Sequence, residues 1–134
     1  MKHGFALVGC GLFGERHAQA YSRHHAVDFL CVCDLDATRA ERIAKTYGAR
    51  RHTSNLRDLL DDPEVHAVSI ATPDHAHRDV AIACAEAGKH ILIEKPLATT
   101  VADAEAIVAA ADRAGVTLMV DFHNRVNPPM VAAR

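Results

Sequence analysis

The sequence predicts an α/β fold, a doubly wound parallel sheet in three layers. Short aliphatic, β-branched runs alternate with longer stretches whose apolar residues recur at helical spacing, and glycines stand where those helical stretches should stop. The chain has 134 residues, close to the size of one ordinary domain, so a single core is expected.

Taken in order, residues 5–8 (Phe-Ala-Leu-Val) read as a buried strand, 13–25 as a helix and 27–33 as a second aliphatic strand ending at Asp34. A helix over 36–47 closes at Gly48, since glycine adopts the left-handed cap conformation without a Cβ penalty. A short third strand is expected at 51–53. A brief helix at 56–61 stops at Asp62-Pro63, and 67–71 is the next strand, broken by Thr72-Pro73. A helix over 75–87 ends at Gly88, and 90–94 is a strand interrupted by Lys95-Pro96. Thr100 caps an alanine-rich helix that runs to 114 and closes at Gly115, and 116–120 is the last strand. Asn127-Pro128-Pro129 reads as a stiff exit from the domain, which places a domain over 1–126 and a linker over 127–134.

Composition excludes several classes. Hydrophobic residues make up 49% and charged residues 24%, far from the composition of disordered chains. The formal charge of -2 supplies no basic face for nucleic acid. No apolar run approaches the roughly 18 residues needed to span a bilayer, and the first four residues lead into a strand without a signal-peptide pattern, so a cytoplasmic protein without membrane contact is expected. Cys10, Cys31, Cys33 and Cys84 fall inside regular elements and lack CxxC spacing, which reads as buried, reduced thiols. Ten histidines include His24-His25 and His75-x-His77, but neither pair gains a third ligand at helical spacing, and no metal is expected.

The most informative motif is Gly9-Cys10-Gly11-Leu12-Phe13-Gly14. By itself such spacing is weak. Here a strand precedes it, a helix follows, a second strand comes next, and Asp34 stands twenty positions beyond Gly14 at that strand's end. Gly9 allows the tight turn, Gly11 the approach of a pyrophosphate, and Gly14 close packing of helix on strand. The first turn, with Leu12 and Phe13, then offers unpaired N–H groups to the phosphates of a nicotinamide dinucleotide. Asp34 can accept hydrogen bonds from the adenosine ribose hydroxyls and repels a 2′-phosphate, so NAD comes before NADP. Arg39 and Arg42 keep NADP open, because an arginine near the ribose accommodates the extra phosphate.

Together with Ala71-Thr72-Pro73-Asp74-x-x-His77 and Gly88-Lys89-His90-x-x-x-Glu94-Lys95-Pro96, the glycine motif resembles the glucose-fructose oxidoreductase, inositol dehydrogenase and rhizopine catabolism (Gfo/Idh/MocA) family, from Phe5 to about Pro128. The resemblance implies a Rossmann domain that binds NAD or NADP in an oxidoreductase acting on sugars, inositols and related polyols. It implies Lys95 as the catalytic lysine, Glu94 on the nicotinamide-ribose side, and Thr72, Pro73 and His77 bordering the cofactor.

Lys95 also stands on chemistry, because it ends a buried strand at the carboxyl edge of a parallel sheet, where ligands bind in such folds. Burial beside an apolar ring favours the neutral amine that can exchange a proton with a substrate hydroxyl, whereas Glu94 favours the ammonium. Pro96 holds Lys95 in an extended backbone and allows a cis peptide, often found at this place in the family.

Two departures from the family stand out. Its members usually exceed three hundred residues and carry a second domain with the substrate pocket, so this chain is expected to be the cofactor half, with self-association left open. Asp121 stands where relatives commonly have a small residue such as Gly. A non-catalytic dinucleotide-binding module, redox-sensing or regulatory, remains the alternative, and Lys95 is the residue such a module would not need.

Overall fold

The computed structural model of the chain describes residues 3–133. Six strands, β1 (His3–Val8), β2 (Val27–Cys33), β3 (Arg51–Thr53), β4 (Ala67–Ile70), β5 (His90–Glu94) and β6 (Leu118–Asp121), form one parallel sheet in the order β3-β2-β1-β4-β5-β6. The chain winds outward from β1 to β3, crosses back, and winds outward again from β4 to β6. Strand order therefore reverses between β1 and β4, and the crevice above that reversal is where ligands settle in open α/β sheets.

Helices α1 (Leu12–Arg23) and α2 (Ala37–Tyr47) cover one face, where Leu7, Leu30 and Val32 meet Ala18, Ile43 and Ala44. Helices α3 (Leu56–Leu60), α4 (His77–Glu86) and α5 (Val101–Ala114) cover the other, where Val68, Ile70, Ile91 and Ile93 meet Leu59, Ala81, Cys84 and Ile107. Strand residues alternate between these cores, as the two-residue period of a strand buried on both faces requires.

Local chemistry sets the ends of the helices. Asp36 caps α2 by accepting from the Thr38 and Arg39 amides, and Thr100 caps α5 by accepting from the Asp103 amide. Gly48 and Gly115 close these two helices in the left-handed conformation, as expected. The helix expected over 75–87 is preceded by a 3-10 turn, Asp74–Ala76. Asn127-Pro128-Pro129, read from sequence as a stiff exit, begins a short helix, α6 (Pro128–Ala132), because a fixed proline φ suits the first helical positions, where no amide hydrogen is needed. Residue 134 lies outside the described residues.

Buried Lys89 ties the crossover to the foot of the sheet, donating from Nζ to the Asp62 and Val65 carbonyls at 2.8 Å each. All four cysteines are buried and free. Burial pushes their thiols up, Cys31 to about 11 and Cys10, Cys33 and Cys84 to about 12, which leaves them protonated and unreactive at neutral pH. Among the described residues no helix is long and apolar enough to cross a membrane.

Candidate dinucleotide site

The turn from β1 into α1 is built by two glycines that the protein itself requires. Gly9 has φ +93, and a Cβ there would lie 2.6 Å from the Ala71 carbonyl carbon and oxygen and 2.7 Å from the Thr72 amide nitrogen. A Cβ on Gly14 would stand 1.9 Å from the Gly9 carbonyl oxygen. The loop, the start of α1 and the end of β4 are thus pressed together backbone against backbone. Gly11 differs. A Cβ there would meet nothing within 4 Å, so no neighbour in the fold demands its small size.

Gly11 is the N-cap of α1 and no side chain caps the helix, which leaves the amides of its first turn facing the crevice with the positive end of the helix dipole behind them. Leu12 and Phe13, 68% and 39% exposed, flank that opening. Buried Thr72 Oγ1 lacks a hydrogen-bond partner among the described residues, a polar atom waiting for one at the end of β4. An open cradle, uncapped amides and an orphaned hydroxyl along one crevice fit the phosphates and sugars of a dinucleotide.

Asp34 sits where the sequence predicts, at the end of β2, with a second task the sequence does not show. Its Oδ2 accepts from the Cys10 amide at 2.8 Å and its Oδ1 from the Asp36 amide at 2.9 Å, so the carboxylate holds the glycine loop as well as facing the crevice. Arg39 Nη1 lies 3.5 Å from Asp34 Oδ2. Arg42 is engaged elsewhere, pairing with Glu15 at 3.3 and 3.4 Å to tie α2 to α1. Of the two arginines, Arg39 is the one that pairs with Asp34.

At the other end of the crevice, exposed Lys95 follows β5 on a cis Lys95–Pro96 peptide. Its Nζ lies 5.9 Å from the Phe13 ring centroid, and among the described residues it has no ion pair. His77 is 1% exposed, so it cannot line the crevice itself. Its Nδ1 faces the Pro96 carbonyl at 2.8 Å and its Nε2 the Thr72 carbonyl at 3.1 Å, clamping together the two loops that border the site. Pro73, exposed, leads the 3-10 turn beside it. The Glu94 side chain is buried and turned to the α1 side, its Oε1 2.9 Å from His17 Nε2. His17 was not singled out by the sequence, because its partner lies 77 positions away.

Parallel sheet, strand-order reversal and glycine turn together define a dinucleotide-binding Rossmann domain. The model of the Gfo/Idh/MocA oxidoreductase family, NAD-binding Rossmann fold, matches residues 3–122, and the chain belongs to that family. It is similar to 4-carboxy-2-hydroxymuconate-6-semialdehyde dehydrogenase of Sphingobium sp., 37% identical over 92% of this chain and 39% of the relative. It is also similar to inositol 2-dehydrogenase 2 of Saccharopolyspora erythraea, 38% identical over 96% of this chain and 38% of the relative. The solved structure of levoglucosan dehydrogenase in complex with NADH and levoglucosan superposes with a TM-score of 0.84 at 35% identity, covering 93% of this chain and 36% of that one. The chain thus spans little more than a third of the length of these relatives.

Replacing Asp34 with Ala loosens the loop for any dinucleotide, so the decisive quantity is the ratio of affinities. A charged acceptor is worth roughly 1.5–3 kcal/mol per hydrogen bond, and we expect the preference for NADH over NADPH to fall by about tenfold or more. Parallel calorimetric titrations check this, and an unchanged ratio removes Asp34 from the ribose.

Proposed function

We propose that this domain is the cofactor half of an oxidoreductase that transfers hydride between NAD and the CH–OH carbon of a sugar, inositol or related polyol, with Lys95 as acid and base. One observation carries the proposal: Lys95 stands at the carboxyl end of β5, exposed, with a charge that no ion pair among the described residues uses. A lysine so placed is free to meet a substrate oxygen. Phe13 beside it supplies an apolar wall, and the His77 clamp fixes the backbone of the loop that carries it.

Bound nicotinamide supplies the hydride acceptor in oxidation and the donor in reduction. In oxidation, Lys95 as the amine would take the hydroxyl proton as the carbinol becomes a carbonyl. In reduction, Lys95 as the ammonium returns the proton to the alkoxide oxygen. Gly9, Gly11, Leu12, Phe13 and Gly14 hold the pyrophosphate, Asp34 the adenosine ribose with Arg39 alongside, and Thr72 and Pro73 the middle of the crevice. Such an enzyme works in the cytoplasm on a small-molecule partner, any self-association being left to the rest of the protein.

The proposal is tested by incubating the protein that carries this domain with NAD and a panel of sugars, inositols and hydroxy acids while following reduced nicotinamide. Formation of NADH with matching carbonyl product is expected. NADH binding without turnover of any carbinol would instead make it a non-catalytic dinucleotide module.

A further inference from the structure

On the α1 side of the sheet, beyond the cover of α1 and α2, a cavity of about 510 Å³ opens against β5 and β6, with Leu92, Met119, Ala20 and Tyr21 among its walls. Three side chains from three elements converge in it: His17 from α1, Glu94 from β5 and Asp121 from β6. Glu94 and Asp121 are register partners on adjacent parallel strands. His17 Nε2 lies 2.9 Å from Glu94 Oε1 and 3.8 Å from Asp121 Oδ2, and one donor atom from each residue falls within 4.8 Å of the other two.

Two carboxylates side by side on neighbouring strands repel each other unless positive charge lies between them. His17 supplies at most one such charge, and His123, the other imidazole that lines the cavity, forms no ion pair with either carboxylate among the described residues. Arg16 also lines the cavity but lies over the Phe13 ring, 5.4 Å from its centroid, and pairs with neither carboxylate among the described residues. The fold has therefore gathered more negative charge, on a largely buried floor, than its own side chains balance.

The geometry points to a divalent transition cation: we propose that His17, Glu94 and Asp121 form a facial three-ligand metal site that opens into the cavity. The imidazole nitrogen favours Zn²⁺, Mn²⁺, Fe²⁺ or Co²⁺ over the hard cations Mg²⁺ and Ca²⁺, while the carboxylates are accepted by all of them. The outer shell matches. His17 Nδ1 lies 3.3 Å from Ser69 Oγ, which is 2.5 Å from Tyr21 OH, so a proton on Nδ1 can be donated to Ser69 and the Ser69 proton passed to Tyr21. That tautomer frees the Nε2 lone pair for a cation, and a hydrogen-bonded second nitrogen is how metal-binding histidines are oriented. The ion would pin α1 to the edge strand β6 and keep its remaining positions for water or an oxygen ligand. Of the three ligands only Glu94 adjoins Lys95 in sequence, and the site is independent of the hydride-transfer proposal because its test reads metal alone.

The test is a titration of the EDTA-stripped chain with Mn²⁺, read as loss of the free-ion electron paramagnetic resonance signal. One Mn²⁺ per chain is expected, displaced by Zn²⁺ but not by equal Mg²⁺ or Ca²⁺. Loss of an outer partner of a metal site commonly costs about 10–100-fold, so Asp121→Asn, which removes the charge of a ligand itself, should weaken binding at least tenfold. The ion should raise the melting temperature of the parent chain and not that of the variant. Asp121→Gly serves as a second variant if the first does not fold. No loss of signal, binding that both variants leave unchanged, or equal displacement by Mg²⁺ overturns the site.

Discussion

Gly14→Ala is expected to lower the melting temperature by about 10 °C and to abolish NADH binding, corresponding to a loss of about 3 kcal/mol or more. The methyl group would stand 1.9 Å from the Gly9 carbonyl oxygen and 2.9 Å from its carbonyl carbon. Both are backbone atoms, so no side-chain rotation relieves the clash. Either α1 moves off the sheet or the loop opens, and the first displaces the buried Ala18 from the core shared with Leu7 and Val32. The loop cannot open alone, because Asp34 holds it through the Cys10 amide. Thermal unfolding and calorimetry on the variant decide the matter. A melting temperature within about 2 °C of the parent, the range of ordinary surface substitutions, would show that the close approach is not required.

Lys95→Ala is expected to reduce hydride transfer by about 10²–10⁴-fold in the protein that carries this domain, the usual contribution of a positioned acid or base, while NADH affinity stays within about threefold. The side chain is exposed and, among the described residues, has no ion pair, so truncation leaves no buried group unsatisfied. Its nearest ring, Phe13, stays where α1 puts it. Steady-state rates and NADH titration on the same preparation separate the two effects. Equal loss of turnover and cofactor affinity would assign Lys95 to binding rather than chemistry.

The sheet was legible because every strand but β3 carries a short aliphatic run set off by polar, Gly or Pro residues, whereas β3, Arg-His-Thr, is only weakly signalled. The bounds of β2, β3 and β5 fall where the sequence puts them. The glycine turn was legible because its spacing is local, although the contact that demands Gly9 comes from Ala71 and Thr72, far along the chain. What could not be read depends on distance along the chain. His77 belongs to a motif associated with the cofactor, yet its burial follows from a carbonyl on another loop nineteen positions away. The contact of His17 with Glu94 and Asp121 requires the order of β4, β5 and β6, which no periodicity encodes. Asp121 was visible only as a departure from a family pattern. Pro128 and Pro129 were read only for their stiffness, and they also start a short helix, because a fixed φ suits the first helical positions.

If the β1–α1 turn is shaped for a dinucleotide and not for the fold alone, Gly11 is the residue at which the two demands separate. Gly9 and Gly14 are demanded by protein contacts, whereas Gly11 faces open space with an ordinary backbone, φ -74. The measurement is calorimetric titration of the parent chain and of Gly11→Ala with NADH, beside their melting temperatures. Binding by the parent, melting temperatures within about 2 °C of each other, and NADH affinity at least about tenfold weaker in the variant are expected. Equal NADH affinity in the two chains, or none in the folded parent, would contradict a turn shaped for a dinucleotide.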